Sequence, residues 1–575
     1  MLLCPPWGVE ALYAHRGLVE LAEMVAARGS PCSRLDYPGT GEARDPAPGA
    51  DRVACRLAAI AEAARLLLDG TNARDLAVVG VRLGALLAAE AIGGTERVAA
   101  LALVAAPASG RAHVRELEAW MRLTAGQSGD PAGRRGDGGL VLAGFALDAG
   151  TIARLRTLDP FAGSPPAGRI LLCGCDRIAW CAPPARTGAR VRVERSPFPG
   201  LARWLCDPLF STVPRDFFAR LVERLAQDAP TALLRSALPK TIGGASSRGP
   251  GFVEEFVLFG GERRLAGTLA RPEDETEDEA GGCLLLLNTG GFPRAGPGRA
   301  AGELARVLAA RGARSPRIDL AGIGDSPADA GSHRLDVFHS RALEDIAAAL
   351  DLLAERGCGR SSRRVSVPEP FSPCARRSRT RASGVSFSSI CLVNLPRFTW
   401  RRFDPAIFFP TRSLPTELAK AVLGRRPRRA LRLLALLFER GCRSLFVSLP
   451  PGPRRALARC SRAARMLATL RARGVPILAL FSPYDPGWTF FDALIGGRRG
   501  RLEGGLLEVE ILEGADHVMS EPSARRRVHD LLARRLEEHG FVPRAGGRTG
   551  DRPCAERVRR LVSDPGHERV GRRRP

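Results

Sequence analysis

Short apolar runs alternate with amphipathic stretches along most of the chain. The first half opens with an apolar run that ends in Cys4-Pro5-Pro6-Trp7-Gly8, and a helical stretch follows from about Arg16 to Arg28. In the second half, the apolar run Cys283–Leu287 precedes another helical stretch, Ala300–Arg311. Alternation of short apolar strands with helices of about 10 to 15 residues is typical of parallel sheets that carry helices on both faces. The pattern therefore predicts an α/β fold.

The same order of elements occurs twice, with an Asp-x-x-Gly-x-Gly loop after each of these helices. The corresponding segments are Leu35–Glu42 with Ile318–Ser326, Leu171–Asp176 with Ala479–Asp485, and Gly200–Pro208 with Gly514–Pro522. Such internal similarity predicts two lobes of one architecture in tandem, each a mostly parallel sheet flanked by helices.

The composition sets the boundaries of these lobes. We expect the first lobe over residues 1–235, a Gly- and Ser-rich linker over 236–251, the second lobe over 252–540 and a disordered basic tail over 541–575. The strand-like runs Phe252–Phe259 and Arg264–Ala270 open the second lobe, and the acidic Glu273–Glu279 is expected to be a solvated loop. The aromatic and helical stretch at about 398–440 fits a helical cap over a site.

The charge and the cysteines exclude several classes of protein. The net charge is +25, carried mostly by Arg spread over all 575 residues, and only three Tyr are present for base stacking. We interpret the charge as compositional bias, with a polyanion-binding surface as the alternative. The 14 Cys form no zinc spacing, and buried thiols in a reducing compartment are favoured over disulfides. No apolar stretch reaches transmembrane length and no signal peptide is recognisable, so we expect the cytoplasm. Met1 falls inside the first apolar run, so we expect the true start upstream.

The segment Val78-Val79-Gly80-Val81-Arg82-Leu83-Gly84-Ala85 has the strand, the two glycines and the following helix of a strand-to-helix elbow. At these residues the chain resembles the α/β-hydrolase superfamily, and most of all tandem bacterial members of the serine aminopeptidase-like group. The resemblance covers about residues 1–235 and 250–540. In that superfamily the elbow reads G-x-S-x-G, an acid follows a later strand, and a His follows the last strand.

In the first lobe the resemblance places Arg82 in the nucleophile position, Asp176 in the acid position and Arg203 in the His position. A guanidinium is always protonated and serves as neither nucleophile nor base, so we expect this lobe to be inactive. Arg82 at a helix N-terminus either binds an anion or pairs with Asp176 and only holds the fold. We favour the ion pair.

In the second lobe the resemblance places Asp485 and His517 in the acid and base positions. Ser372 is the nucleophile candidate by register, because relatives carry the nucleophile about 22 residues before an Asn and 394 − 372 is 22, with Asn394. Pro373, however, stands where the elbow needs a small residue with a free N–H. Ser383, which precedes Gly384, is the second candidate.

Oxyanion donors in the second lobe are expected from Thr289, Gly290 and Gly291, whose glycines let backbone approach a ligand. Relatives often carry a His in this loop before Arg-x-Gly-Pro. Here Phe292-Pro293 precedes Arg294-Ala295-Gly296-Pro297, so that His is absent.

These positions predict a serine hydrolase or acyltransferase that acts on an ester or thioester of a small-molecule acyl substrate. No metal or cofactor is expected, no specific nucleic acid, and no membrane span; the sequence carries no signal for an oligomeric state. The alternative is a non-catalytic scaffold or binding protein that keeps both lobes for their shape.

The stretch from Ser361 to Gly384 is rich in Ser, Arg and Pro where a central strand and helix are expected. A long structureless insert inside a sheet is uncommon. We therefore interpret the segment between about Arg360 and Ser389 as a local reading-frame slip, with the frame recovered at Cys391. Sequencing of the gene is expected to show compensating insertions or deletions there, and an unambiguous in-frame read would contradict this interpretation.

Overall fold

The computed structural model describes the chain in separate ranges. These are 1–71, 73–93, 97–124, 133–134, 138–142, 144–159, 167–174, 192–208, 211–226, 246–275, 283–328, 341–356, 365–366, 389–390, 448–460, 464, 467–468, 472, 477–483, 488–498, 500–502, 507–515 and 522–538. The chain divides into two compact units, one formed by Met1–Val337, Ala348–Cys358 and Val518–Pro575 and the other by Phe338–Ala347 and Gly359–His517. The predicted lobe boundaries at 235 and 252 stay a prediction.

A six-stranded parallel sheet forms the centre of the first 226 residues. Its strands follow the order β2-β1-β3-β4-β8-β9. In chain order the strands here are β1 (Leu2–Cys4), β2 (Ser33–Arg34), β3 (Leu76–Val81), β4 (Val98–Val104), β5 (Gly133–Arg134), β6 (Leu140–Leu142), β7 (Phe145–Leu147), β8 (Arg169–Gly174) and β9 (Arg192–Pro197). The helices are α1 (Val9–Ala26), α2 (Arg52–Thr71), α3 (Leu83–Ala91), α4 (Gly110–Thr124), α5 (Ala149–Leu155), α6 (Leu201–Trp204) and α7 (Arg215–Ala226). Strands β5, β6 and β7 form a separate antiparallel sheet.

Helices cover both faces of the parallel sheet. Successive strand residues point to opposite faces, and apolar residues on both faces are buried by these helices. On one face, Val78 and Leu101 pack with buried residues of α2, α3 and α4. On the other, Val79 and Ala102 pack with α1 and α7. The α/β architecture predicted from the alternating pattern is therefore present, with a mostly parallel sheet flanked by helices.

Strand β1 lies between β2 and β3, so the chain leaves β1 first toward one edge of the sheet and then toward the other. The carboxyl ends of β1 and β3 consequently border the crevice in which open α/β sheets bind ligands. Gly8 lies just after β1, and Arg82 follows β3 directly. This topology brings the loop after the first strand next to the predicted elbow.

An antiparallel sheet opens the region after residue 246. It follows the order β10-β11-β12-β14. The elements are β10 (Ser246–Gly249), β11 (Phe252–Phe259), β12 (Leu265–Pro272), β13 (Cys283–Leu284), α8 (Ala300–Ala310) and β14 (Ser315–Ile318). Ser246–Gly249 were expected to be linker but pair with β11 in a tight hairpin. Parallel pairing appears only as bridges of Cys283 with Arg314 and Leu286 with Arg317 among the residues described there.

The two Asp-x-x-Gly-x-Gly loops have the same backbone hydrogen bonds. The Glu42 N–H donates to Asp36 Oδ2 at 2.9 Å, and the Asp325 N–H donates to Asp319 Oδ2 at 3.1 Å. Gly41 and Gly324 have φ of 48° and 54°, and a Cβ on either would lie within 2.3 Å of the carboxylate. Glycine is therefore required at both positions by the same turn.

The remaining described elements are α9 (Ala342–Glu355), β15 (Val365–Ser366), β16 (Ser389–Ile390), α10 (Pro451–Arg459), β17 (Ile477–Phe481), α11 (Trp488–Ile495), β18 (Gly500–Leu502), β19 (Leu507–Ile511) and α12 (Pro522–Glu538). Strands β16, β17 and β19 are parallel neighbours in that order, and β18 runs antiparallel to β19. None of the helices described in these ranges is long and apolar enough to cross a membrane.

The backbone at Gly84 approaches the loop after β1 so closely that we expect only glycine to fit at this position. A Cβ on Gly84 would lie 2.1 Å from the Pro5 carbonyl oxygen and 2.5 Å from that of Cys4. Because Gly84 is helical, helix propensity alone would make Gly84→Ala stabilising, whereas the overlap predicts a loss of at least about 2 kcal/mol in the free energy of unfolding.

Gly70 in α2 is the matched control, since nothing lies within 4 Å of its Cβ position. We expect Gly70→Ala to leave stability unchanged or raise it by up to about 1 kcal/mol. Denaturant unfolding measures both variants, and equal effects would contradict the packing argument.

Candidate functional site

The turn between β3 and α3 is a strained elbow with Arg82 at its apex. Arg82 has φ 52° and ψ −127°, a backbone conformation that non-glycine residues adopt only when the surroundings impose it. A Cβ on Gly80 would lie 2.4 Å from the Cα of Ala85, so the strand and helix meet too closely for a side chain there. A nucleophile elbow has this arrangement of a strained residue between a strand and a helix, flanked by small residues.

The Arg82 side chain is held by two carboxylates. Its Nε donates to Glu10 Oε1 at 2.9 Å, one of its Nη atoms contacts Glu116, and the other donates to the Ala105 carbonyl at 3.3 Å. Glu10 lies in the first turn of α1, and Glu116 lies on α4. The guanidinium therefore ties two helices to the carboxyl end of β3 and offers little remaining charge to an anion.

Burial controls the titration of the groups around Arg82. Burial, together with the neighbouring Glu116, raises the pKa of Glu10 above its usual value, although Arg82 lowers it. Burial would lower the pKa of Arg82, but Glu10 and Glu116 raise it above the usual value. His113 on α4 is buried, and burial together with Arg82 lowers its pKa to about 3. His113 is therefore neutral at pH 7.

A small apolar cavity lies above the elbow. Trp7, Leu83, His113 and Phe145 are among its walls, and it holds about 30 Å³ of free space. That is room for roughly one or two water molecules. A substrate of ordinary size would not fit in this space unless the walls moved.

The other predicted residues of the first-lobe site do not meet Arg82 in the described contacts. Arg203 is exposed in α6, where its N–H donates to the Gly200 carbonyl and its carbonyl accepts from the Thr212 N–H. Its neighbour Trp204 is the buried residue, packed edge-on against Phe218. Asp176 lies outside the described residues. Among the described residues Arg82 pairs with Glu10 and Glu116, and its expected pairing with Asp176 stays a prediction.

The loop Asn288–Gly291 is fixed by polar contacts at its base. Asn288 Nδ2 donates to Asp319 Oδ1 at 2.9 Å and to the Phe292 carbonyl at 3.0 Å. Asn288 Oδ1 accepts from the Leu320 N–H at 2.8 Å. Thr289, Gly290 and Gly291 follow in the turn that these contacts hold. Fixed backbone of this kind is what oxyanion donors require.

Arg294 connects this loop to two aspartates. Its N–H donates to Asp319 Oδ1 at 2.7 Å, and its Nη1 donates to Asp319 Oδ2 at 2.6 Å and to Asp325 Oδ2 at 2.8 Å. Although burial alone would raise it, the pKa of Asp325 lies well below the usual range because His15, Arg294 and Arg34 surround it. Asp325 is therefore a carboxylate across the ordinary pH range.

The positions predicted for the second-lobe triad, Ser372, Asp485 and His517, lie outside the described residues, and so does Ser383. The strands that precede the acid and base positions are described. β17 and β19 are adjacent and parallel, and the Leu512 N–H donates to the Phe481 carbonyl at 2.8 Å beyond their ends. Two chain segments leaving these strands start from one edge of the sheet.

The sequence pointed to the loop Asn288–Gly291 but not to Glu10, Glu116 or His113. Glu10 and Glu116 lie 72 and 34 residues from Arg82 along the chain, and no short motif marks either of them. Arg294 and Asp319 did carry a signal, since Asp319 begins the repeated loop and Arg294 begins the Arg-x-Gly-Pro segment.

No protein-family model matches the chain, and no curated protein matches it. Among solved structures it is similar to an esterase from Pyrococcus furiosus, with 11% identity over 52% of this chain and 96% of that chain and a TM-score of 0.27. It is also similar to a proline iminopeptidase-related protein from Thermus thermophilus, with 19% identity over 50% of this chain and 99% of that chain and a TM-score of 0.27. A third similar structure is a hyperthermophilic esterase from Pyrobaculum calidifontis, with 15% identity over 50% of this chain and 86% of that chain and a TM-score of 0.28. At TM-scores this low, the likenesses assign neither a family nor an activity to this chain.

Removing the guanidinium at the elbow tests its structural role. We expect Arg82→Met to lower the free energy of unfolding by about 2 to 4 kcal/mol at neutral pH, because the buried Glu10 loses its cationic partner and must take up a proton on folding. Without Arg82 the Glu10 pKa rises further. Folded Glu10 then holds its proton while the unfolded residue releases it, so the loss should grow as pH rises and be smaller near about pH 5.

Arg65→Met is the control, because Arg65 pairs with Glu62 and Asp69 on the exposed face of α2. Exposed pairs contribute little to stability, so a small effect is expected. Urea unfolding at both pH values measures the two variants, and a pH-independent loss in Arg82→Met would contradict the role given to Glu10.

Proposed function

We propose that this chain is a serine-type α/β-hydrolase of tandem construction that acts on an ester or thioester, with its activity in the second lobe. The observation that carries the proposal is the strained elbow at Arg82, φ 52° and ψ −127°, between β3 and α3. That strain serves to present a nucleophile above the carboxyl ends of the strands. A first lobe that keeps this turn without a nucleophile fits a tandem chain whose second lobe has the nucleophile.

The repeated loops support the tandem construction. Asp36 and Asp319, with Gly41 and Gly324, form the same hydrogen-bonded turn at a separation of 283 residues, 319 − 36. We assign the catalytic role to the second half because its loop Asn288–Gly291 has a polar base. In the first half Pro5 stands 283 positions before Asn288.

The proposed chemistry divides among three side chains and one loop. Ser372 Oγ attacks the acyl carbon and gives its proton to His517, which Asp485 orients. Backbone N–H groups of Thr289, Gly290 and Gly291 stabilise the oxyanion of the tetrahedral intermediate. The leaving alcohol or thiol takes the proton from His517, and water then releases the acyl group from Ser372. The adjacent β17 and β19 support the pairing of Asp485 with His517.

The second candidate function is a non-catalytic scaffold or binding protein. The observation that favours it is the state of Arg82, whose guanidinium is occupied by Glu10 and Glu116 in a site with little free space. A first lobe retained only for its shape would look like this. The scaffold candidate extends that description to the second lobe as well.

Covalent labelling of the purified full chain with a fluorophosphonate distinguishes the two candidates. We expect labelling of the native chain and its loss in Ser372→Ala and in His517→Ala, because attack requires both the nucleophile and its base. Ser383→Ala is the matched control and should label as the native chain does. Loss of label in Ser383→Ala alone would move the nucleophile to Ser383. A folded native chain that takes no label would contradict the hydrolase proposal and favour the scaffold.

A further inference from the structure

Two ion pairs between the first lobe and the segment 294–326 are reciprocal. Arg34 Nη2 donates to Asp325 Oδ1 at 2.5 Å, and Arg317 donates to Glu42. Arg317 lies 283 positions after Arg34, and Asp325 lies 283 positions after Glu42 (325 − 42). Arg34 therefore meets Asp325, the counterpart of Glu42, and Arg317 meets Glu42, the counterpart of Asp325.

A second pair of contacts follows the same rule. Arg16 Nη1 donates to the Ser326 carbonyl at 3.2 Å, and Arg299 Nη2 donates to the Ala43 carbonyl at 2.9 Å. These residues are also related by 283 positions, 299 − 16. Contacts that recur with exchanged partners are the mark of an isologous interface, in which one surface meets a copy of itself. The segment 294–326 meets the first lobe as a second copy would.

The reciprocity is broken where the loop Asn288–Gly291 is anchored. Arg294, which has Ala11 as its counterpart 283 positions earlier, contacts Asp319, Asp325 and, at 3.3 Å, Glu42 of the first lobe. His15 Nε2 lies 3.2 Å from Asp325 Oδ1, and its counterpart is Gly298. The added side chains run from the first lobe to the base of the loop.

The contacts are shielded enough to matter energetically. Arg317 is fully buried and Arg294 has 6% of its surface exposed. Burial would raise the pKa of Glu42, but Arg317, Arg294 and Arg306 lower it to about 2. Because buried charges lose hydration, each of these groups is stable only with its partner in place.

We propose that the first lobe is a built-in partner of the second, holding the loop Asn288–Gly291 in place through Arg34, His15 and Glu42. The role of the loop as an oxyanion site rests on the proposed function, whereas its positioning by the first lobe does not require catalysis. Arg34 and His15 fix Asp325, Asp325 fixes Arg294, and Arg294 fixes Asp319 and so the Asn288 side chain. These are positioning residues and touch no substrate.

Hydrogen exchange of the full chain tests the proposal without an activity assay. The reporters are the N–H groups of Arg294, Leu320 and Asp325, which donate to Asp319, Asn288 and Asp319 respectively. We expect Arg34→Ala to speed their exchange roughly fivefold, because a charged contact of this kind contributes about 1 kcal/mol. Arg34→Lys, which keeps the charge, should restore most of the protection.

Arg28→Ala is the matched control, since Arg28 pairs with Glu223 within the first lobe at 3.4 Å. It should leave the reporters unchanged, and the N–H groups of Val98–Val104 should be unchanged in both variants. Equal reporter exchange in Arg34→Ala and Arg28→Ala would overturn the proposal. Where Arg34→Ala also speeds Val98–Val104, His15→Gln replaces it, and unchanged reporters there would overturn the proposal. A chain that takes no fluorophosphonate can still pass this test.

Discussion

The buried pairing of Arg317 with two carboxylates constrains the region around it. Arg317 is fully buried on β14 and meets Glu254 on β11 at 2.8 Å as well as Glu42 from the first Asp-x-x-Gly-x-Gly loop. An unpaired guanidinium at this position would lose several kcal/mol of hydration without compensation. The antiparallel sheet, the loop and α8, whose Arg306 shares Glu254 at 2.8 Å, must therefore be placed together.

The backbone conformation of the elbow does not depend on which side chain stands at its apex. Gly80 and Gly84 leave room for strand, helix and the Pro5 carbonyl to approach, and this packing needs no particular side chain at Arg82. Glu10 and Glu116 hold the guanidinium at the position where the resemblance places a nucleophile. The first lobe shows how a strained turn persists once packing on both sides of it determines the fold.

Local pattern predicted the elements better than their partners. Phe252–Phe259 is a strand with the predicted bounds, and the predicted helix from Ala300 ends within one residue of the observed end. The hairpin of Ser246–Gly249 was missed because Gly and Ser composition describes flexibility and carries no pairing information. In the site, the elbow and the Asp319 loop followed from motifs, whereas Glu116 reaches Arg82 from 34 residues away. Such an ion pair depends on how α4 crosses the sheet, which no periodicity encodes.

The 283-residue reciprocity has a consequence for how the two halves change over generations. A substitution at Glu42 affects Arg317 in the other half, and the equivalent substitution at Asp325 affects Arg34. Neither half can drift in charge without a matching change in its counterpart, although the two coding segments mutate separately. Selection on either half would then also preserve the other half, because the charges of the two must stay matched.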